Sequence, residues 1–235
     1  MKTAIAVFCK TPGFSSVKTR LAADIGNDYA EEFYRLCVLA IDEVLGEVVK
    51  RLDKNVEIYW AVAEREALTH SIWDAHSKIW TGEGGLGERI YYVYEQLFKR
   101  NDQVIIIGSD SPQITADYLV TAIETLRQPE WDGVIGPCRD GGFVLFGSKQ
   151  LIQKSIWTSV IYSRKDTLHQ LTTLLEDSNY SYQFISGLGD VDQYDDLILL
   201  LNDFLQIESK IQPGQIYLYH WIQKILTSKR LLQKV

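Results

Sequence analysis

The sequence predicts an α/β fold whose centre is a mostly parallel, twisted sheet with helices on both faces. Short, continuously apolar runs such as Thr3–Cys9 and 104–107 are typical of strands that are buried on both faces. Longer segments such as 28–52 and 116–127 have the periodicity of amphipathic helices, and the two kinds of segment alternate along the chain. This alternation predicts parallel strands, because each helix returns the chain to the same edge of the sheet.

The remaining segments continue the pattern and predict one domain. The chain of 235 residues contains no low-complexity tract, internal repeat or Pro/Gly-rich linker. We therefore expect a single domain over residues 1–235, with an amphipathic helix within 213–235 appended at its end. The other predicted strands lie at 56–63, 78–80, 133–135, 143–146 and 182–185, and the other predicted helices at 65–77, 86–100, 165–176 and 194–206.

Composition excludes several classes of function. The net charge of −7 argues against nucleic-acid binding, which requires a basic face. The apolar runs are far shorter than a membrane-spanning helix, so no membrane span is expected. The three cysteines have neither metal-binding nor disulfide spacing, which predicts reduced thiols and a cytoplasmic protein.

The loop after the first strand is rich in cations. It carries Lys10, Pro12, Lys18 and Arg20 between a buried strand and a helix. Main-chain N–H groups at a helix start, together with Lys and Arg, bind phosphate well, and pyrophosphate is the natural ligand. A solvated basic loop is the alternative. The loop is not a P-loop, since G-x-x-x-x-G-K-[ST] is absent.

Two other loops carry carboxylates that could bind a metal ion. Asp110 follows the strand at 104–107, while Asp190 and Asp192 precede the helix at 194–206. Carboxylates that converge from separate strands commonly hold a divalent ion against phosphates. Helix capping and a solvated acidic face are the alternatives for these loops.

Two glycine-containing loops are further candidates for the site. Asp140 stands beside Gly141 and Gly142, which either form a simple hairpin turn or let a ligand approach the main chain. The segment 82–87 satisfies G-x-G-x-x-G, but it does not follow the first strand, so it is weak evidence for a dinucleotide. It fits better as a loop near a nucleotide, with Arg89 facing inward.

Taken in order, these loops resemble the bacterial DUF2064 group. The resemblance rests on F-x-K-x-P with V-K-T-R-L between residues 8 and 21, L-G-E-R at 86–89, G-S-D-S-P at 108–112, G-P-x-x-D-G-G-F at 136–143 and D-V-D-x-x-x-D-L at 190–197. It implies a GT-A type nucleotide-diphospho-sugar transferase fold. A more distant similarity is to the 2-phospholactate guanylyltransferases.

The resemblance implies a glycosyltransferase that takes a sugar from a nucleotide-diphosphate donor and passes it to a small-molecule acceptor. Asp110 and Asp192 are then expected to hold Mg²⁺ or Mn²⁺, with Asp190 as the reserve ligand. The expected nucleotide-binding residues are Lys10, Pro12, Lys18, Arg20, Arg89, Gly141 and Gly142. The expected catalytic residues are Lys18, Arg20 and Asp140.

Two alternatives remain open at this point. The same loops would suit a nucleotidyltransferase acting on a phosphorylated small molecule. The departures from the family pattern at Ser15 and Gln193 would also suit an inactive nucleotide-binding protein. The aromatic C-terminal helix, with Tyr217 and Trp221, is expected either to pack on the core, which is the favoured alternative, or to form a homodimer or acceptor surface.

Overall fold

A computed structural model describes residues 1–52, 55–207 and 211–232, with side chains described up to residue 228. Its centre is a seven-stranded sheet in the order β3-β2-β1-β4-β6-β5-β7. All neighbouring strands run parallel except β6, which is antiparallel to β4 and β5. The strands are β1 Thr3–Cys9, β2 Val56–Val62, β3 Ser77–Trp80, β4 Gln103–Gly108, β5 Gly133–Pro137, β6 Phe143–Ser148 and β7 Tyr182–Phe184.

Helices cover both faces of the sheet. Side chains of α2 and α4 pack on one face, and side chains of α3, α5 and α6 pack on the other. The helices are α1 Thr19–Ile25, α2 Asn27–Leu52, α3 Leu86–Leu97, α4 Ala116–Arg127, α5 Lys154–Ser159, α6 Thr167–Asp177, α7 Tyr194–Gln206 and α8 Pro213–Leu232. The central strands β1 and β4 are buried almost throughout, as expected of strands covered on both sides.

The C-terminal helix α8 packs against α2 and α7. Leu218 and Ile222 are fully buried there, and Trp221 stacks obliquely on Phe33 at 5.9 Å between ring centroids. Tyr217, by contrast, is exposed. One face of α8 is therefore core, as predicted, and the homodimer surface stays a prediction.

The fold class predicted from the sequence is confirmed. Strands β5 and β6 are antiparallel neighbours, which is the hairpin that was one of the two alternatives for the glycine turn. The helix predicted over 65–77 is wrong: the segment forms two short 3-10 helices, Arg65–Thr69 and Ser71–Trp73, because His70 between them has an extended main chain. The helices α1 and α5 were not predicted, since six or seven residues are too few to show helical periodicity.

The extent of the domain stays a prediction, since the predicted end of the last helix, 233–235, lies outside the described residues. No helix in the described part of the chain has both the length and the apolar character needed to cross a membrane.

Candidate active site

A cleft of about 1050 Å³ opens along the carboxyl ends of the central strands. The parallel register of β2, β1 and β4 brings the loops after these strands side by side. The chain leaves β1 toward β2 and leaves β4 toward the opposite side, so the cleft lies at a topological switch point, where such sheets bind ligands. The predicted site residues that line it are Lys10, Lys18, Arg20, Arg89, Asp110, Asp140, Gly142, Asp190 and Asp192.

Lys18 lies at the centre of these residues. Its Nζ is 2.5 Å from Asp110 Oδ1, donates to the carbonyl oxygen of Val191 at 2.5 Å, and is 4.0 Å from Asp192 Oδ1. Burial lowers the pKa of Lys18, whereas the negative charge of Asp110 and the other groups around Lys18 raise it. Together these effects place the pKa of Lys18 above its usual value. The ammonium group therefore ties the loop after β1 to two acidic loops.

The main chain of Lys18 is held in an unusual conformation. It precedes α1 with φ 49° and ψ 42°, the left-handed region that residues other than glycine rarely adopt. A strained main chain of this kind persists where the surrounding contacts hold the residue in that conformation, which is common at functional sites. The ion pair with Asp110 is such a contact.

Arg20 and Asp192 form a second, more accessible pair. Arg20 Nη1 lies 3.1 Å from Asp192 Oδ2, and the Arg20 side chain is 67% exposed. Asp196 Oδ2, at the start of α7, accepts the main-chain N–H groups of Asp192 and Gln193 at 2.9 and 2.7 Å. The Asp192 main chain is thus fixed to α7, while the Arg20 guanidinium remains available to an anion.

A cluster of potential metal ligands lies on the same cleft. Cys138, Asp140 and Asp190 have ligand atoms that are all within 4.8 Å of one another. The Cys138 thiol donates to Asp190 Oδ1 at 3.3 Å. Burial raises the pKa of Asp190, and the nearby Asp140 carboxylate raises it further. A cation at this position would relieve both effects.

The turn at Asp140 is fixed by the main chain. Asp140 Oδ1 accepts the N–H of Gly142 at 2.8 Å. Gly141 has φ 94°, and a Cβ atom there would lie 2.0 Å from the carbonyl oxygen of Lys165. Gly141 and the buried Pro12 do not line the cleft, and their contact with a nucleotide stays a prediction.

Arg89 is anchored by the loops that follow β2 and β3. Its Nε donates to the carbonyl oxygen of Gly84 at 3.0 Å, and its Nη1 donates to Thr81 Oγ1 at 2.8 Å and to the carbonyl oxygen of Ala63 at 3.3 Å. The glycine-rich loop therefore helps to orient an arginine at the cleft. The contact of Arg89 with a nucleotide stays a prediction.

Sequence reasoning missed four groups on the cleft wall: Cys138, Tyr34, Arg164 and Lys165. Tyr34 accepts the N–H of Lys10 and donates to its carbonyl oxygen, both at 2.9 Å. Its position on the buried face of α2 gave no sign of this contact. Arg164 and Lys165 are adjacent cations, and only the tertiary structure brings them beside the Asp140 turn.

Solved structures share this fold. A provisionally named nucleotide-diphospho-sugar transferase from Desulfovibrio desulfuricans G20 is 22% identical, with a TM-score of 0.80 over 96% of this chain and 99% of that one. The 4-diphosphocytidyl-2C-methyl-D-erythritol synthase from Anaerococcus prevotii DSM 20548 is 12% identical, with a TM-score of 0.56 over 87% of this chain and 96% of that one. A CMP:2-keto-3-deoxy-manno-octonic acid synthetase complexed with CTP is also 12% identical, with a TM-score of 0.52 over 89% of this chain and 100% of that one. At these identities the likeness shows the fold alone.

The sequence comparison identifies the family. No curated protein matches the chain in sequence. Residues 44–164, just over half of the chain, match the family described as "Uncharacterized protein conserved in bacteria (DUF2064)". The chain belongs to the DUF2064 family.

Proposed function

We propose that the protein is a metal-dependent glycosyltransferase that moves a sugar from a nucleotide-diphosphate donor to a small-molecule acceptor. The observation that carries the proposal is the buried Lys18, which joins a cationic loop to the carboxylates Asp110 and Asp192 at the switch point of the sheet. Cations and carboxylates that meet in one cleft suit a ligand with a diphosphate and a divalent ion.

The cations would hold the diphosphate and stabilise the leaving nucleotide. Lys10 and Arg20 line the cleft together with Lys18, and Arg89 on α3 lines it as well. Charge that develops on the leaving diphosphate is stabilised by cations fixed in advance, so no covalent nucleophile is required. Asp140 and Gly142 would contact the sugar, because their turn forms the neighbouring wall of the cleft.

The carboxylates fit a hard divalent ion such as Mg²⁺ or Mn²⁺. We propose Asp110 and Asp192 as ligands, with Asp190 as a further donor, because burial and the nearby Asp140 carboxylate both raise the pKa of Asp190 and a cation there would oppose that shift. When bound, such an ion neutralises phosphate oxygens and orients the diphosphate. Lys18 contacts both Asp110 and Asp192, so it would hold these two side chains in place for the ion.

A nucleotidyltransferase is the second candidate. Arg164 and Lys165 line the cleft on the side of the Asp140 turn. Their charge is positive, whereas that of the carboxylates there is negative. Two cations at this position would suit a phosphorylated acceptor, as a nucleotidyltransferase requires. The third candidate, an inactive nucleotide-binding protein, would bind a nucleotide with metal but turn over no donor.

A thermal-shift screen of nucleoside diphosphates and triphosphates, each with and without Mn²⁺, tests the proposal. A ligand at 100 times its dissociation constant adds about 2.7 kcal/mol of stability, which is easily detected. We expect a metal-dependent shift that is lost in Asp110→Ala and kept in Asp195→Asn, a change at an exposed position on α7. No shift with any nucleotide would contradict the proposed function.

The released product then separates the candidates. A nucleoside diphosphate is expected for sugar transfer, pyrophosphate for nucleotidyl transfer, and neither for an inactive protein. We also propose the cytoplasm as the location, since all three cysteines are free and buried, as expected in a reducing compartment.

A further inference from the structure

Asp203 on α7 links the three loops that carry the acidic residues of the cleft. One of its carboxylate oxygens, Oδ1, pairs with Nη2 of Arg139, the neighbour of Asp140. Its other oxygen, Oδ2, accepts from Gln113 Nε2 at 3.1 Å, and Gln113 stands three residues after Asp110. The Asp203 side chain is only 15% exposed.

The third loop is joined through the same two partners. Gln113 is buried, and its Nε2 also donates to the carbonyl oxygen of Gly189 at 2.6 Å. The N–H of Arg139 donates to the carbonyl oxygen of Leu188 at 3.0 Å. The loop that carries Asp190 and Asp192 is thereby fixed on both sides.

The loop held by these contacts is also bonded to the main chain of Asp110, which lines the cleft. The N–H of Val191, between Asp190 and Asp192, donates to the carbonyl oxygen of Asp110 at 3.1 Å. A shift of the 187–193 loop would therefore change the spacing of Asp110, Asp190 and Asp192 together. Side chains that orient metal ligands commonly matter almost as much as the ligands themselves.

We propose that Asp203 is a positioning residue, which sets the spacing of the Asp110, Asp140 and Asp190 loops for the metal and diphosphate without touching either ligand. The metal and the diphosphate in this inference rest on the proposed function, whereas the contacts of Asp203 with Arg139 and Gln113 do not. Both carboxylate oxygens are needed, because each accepts from a different donor. An asparagine in the same place has an NH₂ group where Asp203 has its second oxygen, so the donor of either Arg139 or Gln113 would face another donor.

The test compares Asp203→Asn with Asp195→Asn, which removes the same charge from an exposed position on the same helix. Mn²⁺ affinity is measured from free Mn²⁺ by electron paramagnetic resonance, and amide hydrogen exchange is measured over residues 187–193. For Asp203→Asn we expect a rise of about tenfold in the Mn²⁺ dissociation constant. We also expect faster exchange of the Val191 amide, with both quantities near wild type in Asp195→Asn.

A second variant covers the case in which Asp203→Asn does not fold. Gln113→Met keeps the Asp203–Arg139 pair and removes the hydrogen bonds that Gln113 donates to Asp203 and to Gly189. It should also weaken Mn²⁺ binding and speed Val191 exchange. Wild-type affinity and wild-type exchange in the folded variants would overturn the inference while leaving the proposed function intact. If the wild-type protein binds no Mn²⁺, the proposed function fails, and the exchange of the Val191 amide alone decides whether Asp203 positions the loop.

Discussion

Replacing Lys18 with Met should lower the free energy of unfolding by about 2 kcal/mol, because the change leaves Asp110 without its counter-charge and Asp192 with Arg20 alone. Removing one partner of a fully buried ion pair costs about 3–5 kcal/mol. Here the Lys18 side chain is 4% exposed, but Asp110 and Asp192 are 47% and 44% exposed, so water can partly solvate them after the change. We therefore expect Lys18→Met to cost less stability than the loss of one partner from a fully buried ion pair. The left-handed main chain at residue 18 is unfavourable for Met as well as for Lys, so it offsets nothing.

Urea unfolding and thermal unfolding in the presence of a metal chelator measure this cost. For a chain of this size, a loss of about 2 kcal/mol corresponds to a fall of about 4–8 °C in the melting temperature. The matched control is Lys10→Met, which removes a cleft cation that forms no ion pair with the described residues. It should change stability by no more than about 0.5 kcal/mol.

A double-mutant cycle isolates the ion pair itself. Lys18→Met combined with Asp110→Asn should cost clearly less than the sum of the two single changes, because each one removes the same interaction. Additivity to within about 0.5 kcal/mol would refute the argument, since it would mean that the contact at 2.5 Å contributes nothing to stability.

Three further predictions concern residues in and around the cleft. Gly141→Ala should destabilise the protein by about 3 kcal/mol or more, because the new Cβ would lie 2.0 Å from a main-chain carbonyl oxygen at a position with φ 94°. Gly142→Ala should cost less stability. Chemical denaturation of both variants measures the two losses, and equal losses would contradict the steric argument. Burial raises the pKa of all three cysteine thiols. At neutral pH a thiol reagent should therefore label the native protein slowly and the unfolded protein rapidly, and labelling of the native protein should increase as the pH is raised. Rapid labelling of native Cys138 at neutral pH would contradict the buried geometry. Gln215→Leu should lower stability by about 1–3 kcal/mol in the same assay, because it leaves the carbonyl oxygens of Pro112 and Ile114 without their donor on α8, and a variant as stable as the wild type would exclude that link.

The sequence by itself determined the layered α/β fold. Strands such as β1 and β4 are apolar throughout because both of their faces are covered, and α4 and α7 begin and end at the predicted residues. The same pattern also located the loops that carry function, since parallel strands place their carboxyl ends at one edge of the sheet. Most of the predicted site residues, from Lys10 to Asp192, do line one cleft.

Only the tertiary structure decided how these residues are paired. Lys18 and Asp110 are far apart in the chain, and only the parallel alignment of β1 and β4 brings them to 2.5 Å. Cys138 alone in the sequence resembles a core thiol, and it becomes a potential metal ligand only beside Asp140 and Asp190. Asp203 resembles a solvated position on α7 until Gln113 and Arg139 meet it from two other loops. Patterns of hydrophobicity report local periodicity and burial, whereas charge pairing depends on distances between segments that are remote in the chain, and these distances exist only after the sheet has formed.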